Sequence, residues 1–153
     1  MKKSRGFEIA KGFEDKKINL PERKTKFSAG YDFEAAEDCI VPAYKAGMNP
    51  TLVKTGIKAY MLDDEMLCLY NRSSNPKKKG LVLSNGVGIV DKDYYGNPDN
   101  DGAIMFAFYN IKDTDIEIKK RDCIGQGIFE KYLVADNDSA EGERMGGFGS
   151  TNS

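Results

Sequence analysis

Histidine is absent from this 153-residue chain, and cysteine occurs only three times. Without histidine no Ser-His-Asp or Cys-His arrangement can be built, and histidine-based zinc sites are excluded as well. Any catalysis must rest on carboxylates, lysines, tyrosines or a bound metal. Cys39, Cys68 and Cys123 are odd in number, widely spaced and set among apolar neighbours. That pattern suits reduced core thiols better than disulfides or a metal knuckle, so a cytoplasmic setting is expected. An excess of one charge is also missing, with 23 Lys and Arg against 24 Asp and Glu. A polybasic nucleic-acid binder is therefore not expected, and partners must be recognised by local charge. No apolar run approaches the roughly 18 residues that span a bilayer, and MKKSRGFEIAKGFEDKK has no apolar stretch of signal-peptide length. Neither a membrane nor an export route is expected.

A chain of this length fits one domain with a single core. Val53, Thr55, Ile57, Ala59 and Met61 alternate with Lys54, Gly56, Lys58 and Tyr60, the period-2 pattern of a half-buried strand. Met66 to Tyr70, Leu81 to Leu83 and Ala103 to Tyr109 are apolar on both sides and need cover from a second sheet or a neighbouring subunit. Ile116 and Ile118 begin a further strand, Ile124 to Leu133 another, and Gly, Pro or Asn/Asp clusters separate the runs. Together they predict an all-β sandwich or barrel, with at most one short helix after Arg72. After Leu133 the composition shifts to VADNDSAEGE, a tether whose ten residues reach about 33 Å when extended. The expected division is a β domain over 1–133 and a flexible arm over 134–153.

Three stretches carry chemistry. SNGVGIVDKDYYGN at 84–97 places Asp91 and Asp93 two positions apart, on one face of an extended backbone, where either can orient water or a metal-bound group. The same residues also suit a plain Asp-rich turn. NRSSNPKKKGL at 71–81 combines Arg72, two hydroxyls and three lysines, either a solvated basic turn or a phosphate grip, since arginine takes phosphate oxygens bidentately. It lacks the glycine spacing of a Walker loop. RMGGFGSTNS at 144–153 reads as a polar chain end, or as an anion wrap in which a glycine-flanked Phe148 stacks on a flat partner such as a nucleobase.

Taken in order, AGYDFEAAED at 29–38, RSSNPKKKGL at 72–81, SNGVGIVDKDYYGN at 84–97, RDCIGQGIFEKY at 121–132 and RMGGFGSTNS resemble the five motifs of the homotrimeric deoxyuridine triphosphate nucleotidohydrolase (dUTPase) family. The resemblance implies a jelly-roll-like β subunit, a homotrimer with shared active sites, and hydrolysis of dUTP to dUMP and pyrophosphate. Such an activity limits uracil in DNA and supplies dUMP for thymidylate synthesis. It further implies Asp91 as the base that activates water, with Asp32 and Asp93 supporting. Asn85, Gly88 and the neighbouring hairpin backbone would read uracil, and Tyr94 would lie under deoxyribose and leave no space for a 2′-hydroxyl. Ser73 and Gln126 would contact phosphate, Arg72 would organise the second motif, and Ser74 would belong with them to the substrate-binding set. Arg144, Phe148, Gly149, Ser150 and Thr151 would close over the nucleotide as a lid. Magnesium (Mg2+) would be held mainly by the triphosphate and waters.

Three features depart from the family pattern. Tyr95 stands where an arginine is usual, so a supporting ion pair is missing or replaced, and NPDND lengthens the turn that follows. Only Met145 separates Arg144 from Gly146, where many relatives place two residues. Two rival readings are a dCTP deaminase, which lacks the Asp-x-Asp-Tyr arrangement, and a decayed nucleotide-binding regulator; an added protein partner stays open.

Overall fold

The computed structural model describes residues 2–146. In chain order the elements are β1 (Gly6–Ile9), β2 (Tyr31–Glu34), β3 (Cys39–Val41), β4 (Thr51–Lys54), β5 (Ile57–Tyr60), β6 (Glu65–Asn71), α1 (Asn75–Lys79), β7 (Leu81–Leu83), β8 (Gly88–Asp91), β9 (Met105–Asn110), β10 (Ile116–Ile118) and β11 (Cys123–Lys131). The all-β expectation holds, and the short helix falls where it is expected, behind Arg72. Strands order as β2-β11-β6-β8 in one sheet and β4-β9-β7 in another, with two-stranded ribbons β1-β5 and β3-β10. Every strand pairing is antiparallel. The sheets are open, so the architecture is a jelly-roll-like sandwich rather than a closed barrel.

The core lies between the two larger sheets. Phe33, Leu67, Leu69 and Ile124 of the four-stranded sheet share one buried cluster with Val53, Leu81, Phe106 and Phe108 of the three-stranded sheet. Phe33 meets Phe106 with ring centroids 5.5 Å apart, and Phe106 stacks on Phe108 at 6.2 Å. Room for these rings is made on β11 by glycine. A Cβ at Gly125 would sit 2.2 Å from Phe106 Cε2, and one at Gly127 would sit 2.8 Å from Phe33 Cε1. Both distances are far inside van der Waals contact.

The alternating run 53–61 is not one strand. It breaks at Gly56, which takes φ +70°, and the chain passes from β4, paired with β9, to β5, paired with β1. Thr55 stabilises the crossing, donating from Oγ1 to Ile104 O at 2.6 Å and accepting from Ile57 N at 3.2 Å. The burial alternation survives, because Val53, Thr55, Ile57, Ala59 and Met61 are all buried. Two-sided apolarity is answered within the chain on β6, where Leu67 and Leu69 face the core and Cys68, on the other face, is buried as well. Burial is the first cause that pushes the Cys68 thiol up to about 11, with Glu130 next. The thiol of this residue is inert at neutral pH.

At the start of β6, the buried Glu65 accepts from Arg5 Nε at 2.8 Å and from Leu62 N at 2.9 Å. The Arg5 hydrogen bond holds the Glu65 carboxyl below its ordinary value, against burial, which pushes it up. A lowered folded value stabilises the fold above the unfolded value, about 4.3, and that contribution is lost as pH falls through the lowered folded value. Urea denaturation is therefore expected to show falling stability below about pH 4, with a flatter acid limb in Arg5→Gln.

Candidate active site

Asp91 ends β8, and Asp93 lies in the 3-10 turn Lys92–Tyr94 that follows. The backbone between them is thus a turn, not the extended segment expected. The turn still brings both carboxylates to one guanidinium: Arg144 Nη1 donates to Asp91 Oδ2 at 3.0 Å and to Asp93 Oδ1 at 3.1 Å. The two carboxylates are about half exposed, at 51% and 59%, whereas the Arg144 side chain is only 11% exposed. Burial lowers the Arg144 value, but its hydrogen bonds to Asp91 and Asp93, with their negative charge, more than offset it, and the net shift is upward. Its guanidinium carbon also lies 5.2 Å from the centroid of the Tyr94 ring. A cleft of about 470 Å³ opens here, lined by Asp63, Asp91, Lys92, Asp93, Tyr132 and Arg144, with Lys92 paired to Asp63 across it.

Tyr94 is 2% exposed and belongs to the core cluster. Its hydroxyl donates to Ala103 O at 3.1 Å and accepts from Asn100 Nδ2 at 2.6 Å. Burial is the main cause that raises its pKa. Where an arginine is usual, Tyr95 donates to Glu8 Oε1 at 2.5 Å and carries Lys58 Nζ 4.6 Å over its ring. Lys58 in turn pairs with Asp101 at 2.8 Å, so an ion pair anchors this loop by a different set of residues.

A second group gathers at the far end of the four-stranded sheet. Gln126 lies opposite Asp32 on β2 and Tyr70 on β6, and its Nε2 donates to Asn71 O at 3.2 Å. Arg72 is half-buried and reaches Cys123 O with Nη1 at 3.3 Å; Ser73 is exposed, and Ser74 precedes α1 without a side-chain capping bond. Asp32, Arg72 and Lys24 all act on Cys123, whose pKa burial raises first. The organisers of this corner escaped sequence reasoning. Asn75, fully enclosed, donates to Asn71 Oδ1 at 2.8 Å and to Ile124 O at 3.0 Å, at the bulge in β11, while Asn71 Nδ2 donates to Leu81 O at 2.9 Å. Asparagines in turn-rich sequence read as turn formers, and no local signal shows partners 49 residues away.

The two groups do not meet in one chain. Asp91 is opposite Met66 of β6 and Gln126 is opposite Tyr70, four positions or about 13 Å along the strand. The turn 84–87 leads into β8 at the end opposite Asp91, with Asn85 at its exposed tip. Its flanking strands do not pair with each other: β7 bonds to β9, and β8 to β6. The splayed strands leave a narrow slot lined by Leu69, Leu83, Asn85, Gly88, Met105, Phe106 and Ala107. Phe148, Gly149, Ser150 and Thr151 lie outside the described residues.

A sequence model of the dUTPase family matches residues 16–152. The chain belongs to the dUTPase family. It is 49% identical over 151 residues to the deoxyuridine 5′-triphosphate nucleotidohydrolase of Lactococcus lactis, covering 97% of this chain and 98% of the relative. The corresponding protein of Gamma-proteobacterium EBAC31A08 is 36% identical, covering 88% and 96%. A crystal structure of dUTPase from Streptococcus mutans superposes with a TM-score of 0.79 at 43% identity, covering 86% of this chain and 98% of that one. Phage phi11 dUTPase of Staphylococcus aureus shares the fold at a TM-score of 0.72 and 16% identity, over 92% and 97% of the two chains. Among the described residues of this dUTPase, no three Cys, Asp or Glu side chains converge to hold a metal, and no helix is long and apolar enough to cross a membrane.

Proposed function

We propose that the chain hydrolyses dUTP to dUMP and pyrophosphate at sites shared between copies of itself in a homotrimer, in a cytoplasmic setting that suits its three free cysteines. The observation that carries this reading is the convergence of Asp91 and Asp93 on an open cleft beside the buried Tyr94, with the Arg144 guanidinium as their partner. Asp91 takes a proton from water as the water oxygen bonds to the α-phosphorus; the bond from that phosphorus to the α,β-bridging oxygen breaks, and pyrophosphate leaves in line. Asp93 and Asp32 support. The separation of the Asp91 group from Asp32, Arg72, Ser73, Ser74 and Gln126 supports a site to which different chains contribute the base and the phosphate grip.

Two half-exposed carboxylates, with no third Cys, Asp or Glu converging on them among the described residues, suit magnesium, which keeps its waters and binds through one or two carboxylates plus phosphate oxygens. When bound to the triphosphate, it supplies charge neutralisation on the departing pyrophosphate. Uracil is read at the exposed turn that carries Asn85 and leads into Gly88, and Tyr94 bounds the sugar. Thymine's methyl group has no room there, and cytosine leaves polar groups unpaired. The arm over 134–153 closes the site, Arg144 exchanging its carboxylates for the triphosphate and Phe148, Gly149, Ser150 and Thr151 covering the nucleotide.

Pyrophosphate release from dUTP, dCTP, dTTP and UTP, with and without magnesium, tests this reading. Magnesium-dependent turnover of dUTP well above the others is expected, and turnover of dCTP but not dUTP overturns it. In the same assay, truncation after Glu143 is expected to leave a folded protein with little activity. Full activity would remove the arm from the site.

A further inference from the structure

The lengthened turn after Tyr94 is built as a clamp. Asn100 uses both ends of its amide, donating from Nδ2 to the Tyr94 hydroxyl at 2.6 Å and accepting from Gly102 N with Oδ1 at 3.0 Å. The Tyr94 hydroxyl in turn donates a hydrogen bond to Ala103 O at 3.1 Å. Gly102, at φ +84°, folds directly under the tyrosine backbone, where a Cβ would sit 2.5 Å from Tyr94 O. The non-glycine residue beside it, Asp101, is held at φ +60°, and its carboxylate is bound by Lys58 Nζ and by Lys11 N, each at 2.8 Å. Asn97 closes the other side, its carbonyl accepting from Asp101 N at 2.7 Å. A left-handed backbone at Asp101 costs free energy and persists only where its surroundings enforce it.

This architecture fastens the Tyr94 side chain at both ends, at Cα by the 3-10 turn and at the hydroxyl by Asn100 and Ala103. A ring fastened only at Cα can tilt about its side-chain torsions. One fastened at the hydroxyl as well is a rigid wall. Rigidity matters here because an apolar pocket rejects a ligand that merely adds a hydroxyl poorly, by about 10². Discrimination against a ribose is lost as soon as the wall can give way.

We propose that Asn100 is a specificity-determining positioning residue, which fixes the height of the Tyr94 ring and thereby the preference for a 2′-deoxyribose over a ribose nucleotide. The inference rests on the placement of Tyr94 at the sugar of dUTP. Asn100 touches no reacting atom and acts through Tyr94. The loop residues 97–102 therefore belong to the substrate-selecting machinery, and Asn97 also donates to Gly146 O of the arm.

The test is the ratio of kcat/KM for dUTP over UTP, measured with magnesium on the full chain and accompanied by a thermal melt. Wild type must first turn over dUTP; if it does not, the proposed function fails and not this inference. In Asn100→Leu the ratio is expected to fall about tenfold, the size of one lost hydrogen bond, chiefly through improved use of UTP. Tyr94→Phe, which deletes only the hydroxyl, is expected to lower the ratio by a similar factor, and the double variant by no more than either single one. A lowered melting temperature with an unchanged ratio shows a purely structural role and overturns the proposal. If Asn100→Leu fails to fold, Tyr94→Phe alone decides by the same ratio.

Discussion

Asp91→Asn is expected to bind dUTP with near-native affinity and to turn it over roughly 10² to 10⁴ times more slowly, the usual contribution of a positioned general base. The substitution is nearly isosteric and keeps an oxygen that accepts hydrogen bonds, but an amide cannot take a proton from water. Asp93 remains to hold Arg144 at 3.1 Å, so the arm keeps one of its two anionic anchors. The expected signature is a collapse of kcat measured by pyrophosphate release, with the dissociation constant for dUTP from calorimetry nearly unchanged. Asp93→Asn is the control and should lose much less. Near-wild-type turnover in Asp91→Asn would remove that residue from the base role and leave Asp93 as the alternative.

Gly125→Ala is expected to produce the largest loss of stability among single-methyl additions on β11. The added Cβ would lie 2.2 Å from Phe106 Cε2 and 2.7 Å from Cδ2, so one of the two must move. Phe106 is hemmed in: it packs against Phe33 on one side and stacks on Phe108 on the other, all three being fully buried. β11 cannot yield either, since it is hydrogen-bonded to β2 and β6 on its two edges. Overpacking of this kind costs about 1 to 3 kcal/mol, equivalent to roughly 2 to 12 °C in melting temperature for a domain of this size. Urea denaturation at fixed protein concentration measures it, and Phe106→Leu in the Gly125→Ala background should recover part of the loss. A fully stable Gly125→Ala would mean that the sheets separate more easily than the ring packing implies.

Much of the fold is legible in the sequence because burial follows alternation. Val53 to Met61 are read with the correct inward face, even though the backbone switches sheets at Gly56; side-chain periodicity continues across the break, while hydrogen-bond partners do not. The strands from Ile116 and Ile124 are visible for the same reason, and the short helix falls behind Arg72 where it is expected. The site is legible as residue types in ordered motifs, and the structure brings Asp91, Asp93, Tyr94 and Arg144 together at one cleft. What holds those residues is not legible. Tyr95 bonds Glu8 across 87 positions, and Asn75 bonds Ile124 across 49. Such partners are chosen by tertiary packing, which leaves no trace in local composition. The splaying of β7 from β8 is hidden likewise, since two short apolar runs around SNGV read as an ordinary hairpin.

That splay determines what supports the 84–87 turn, the element proposed to read the base. Had β7 and β8 paired with each other, the space at their turn would be set by the loop alone and could be retuned by a few loop residues. Instead each strand is committed to a different sheet, and the slot between them is walled by Leu69 and Phe106, which also belong to the central core. Its width is the spacing of the sandwich itself. Grafting the 84–87 turn onto another β protein would transplant the hydrogen-bonding groups and leave the calliper behind.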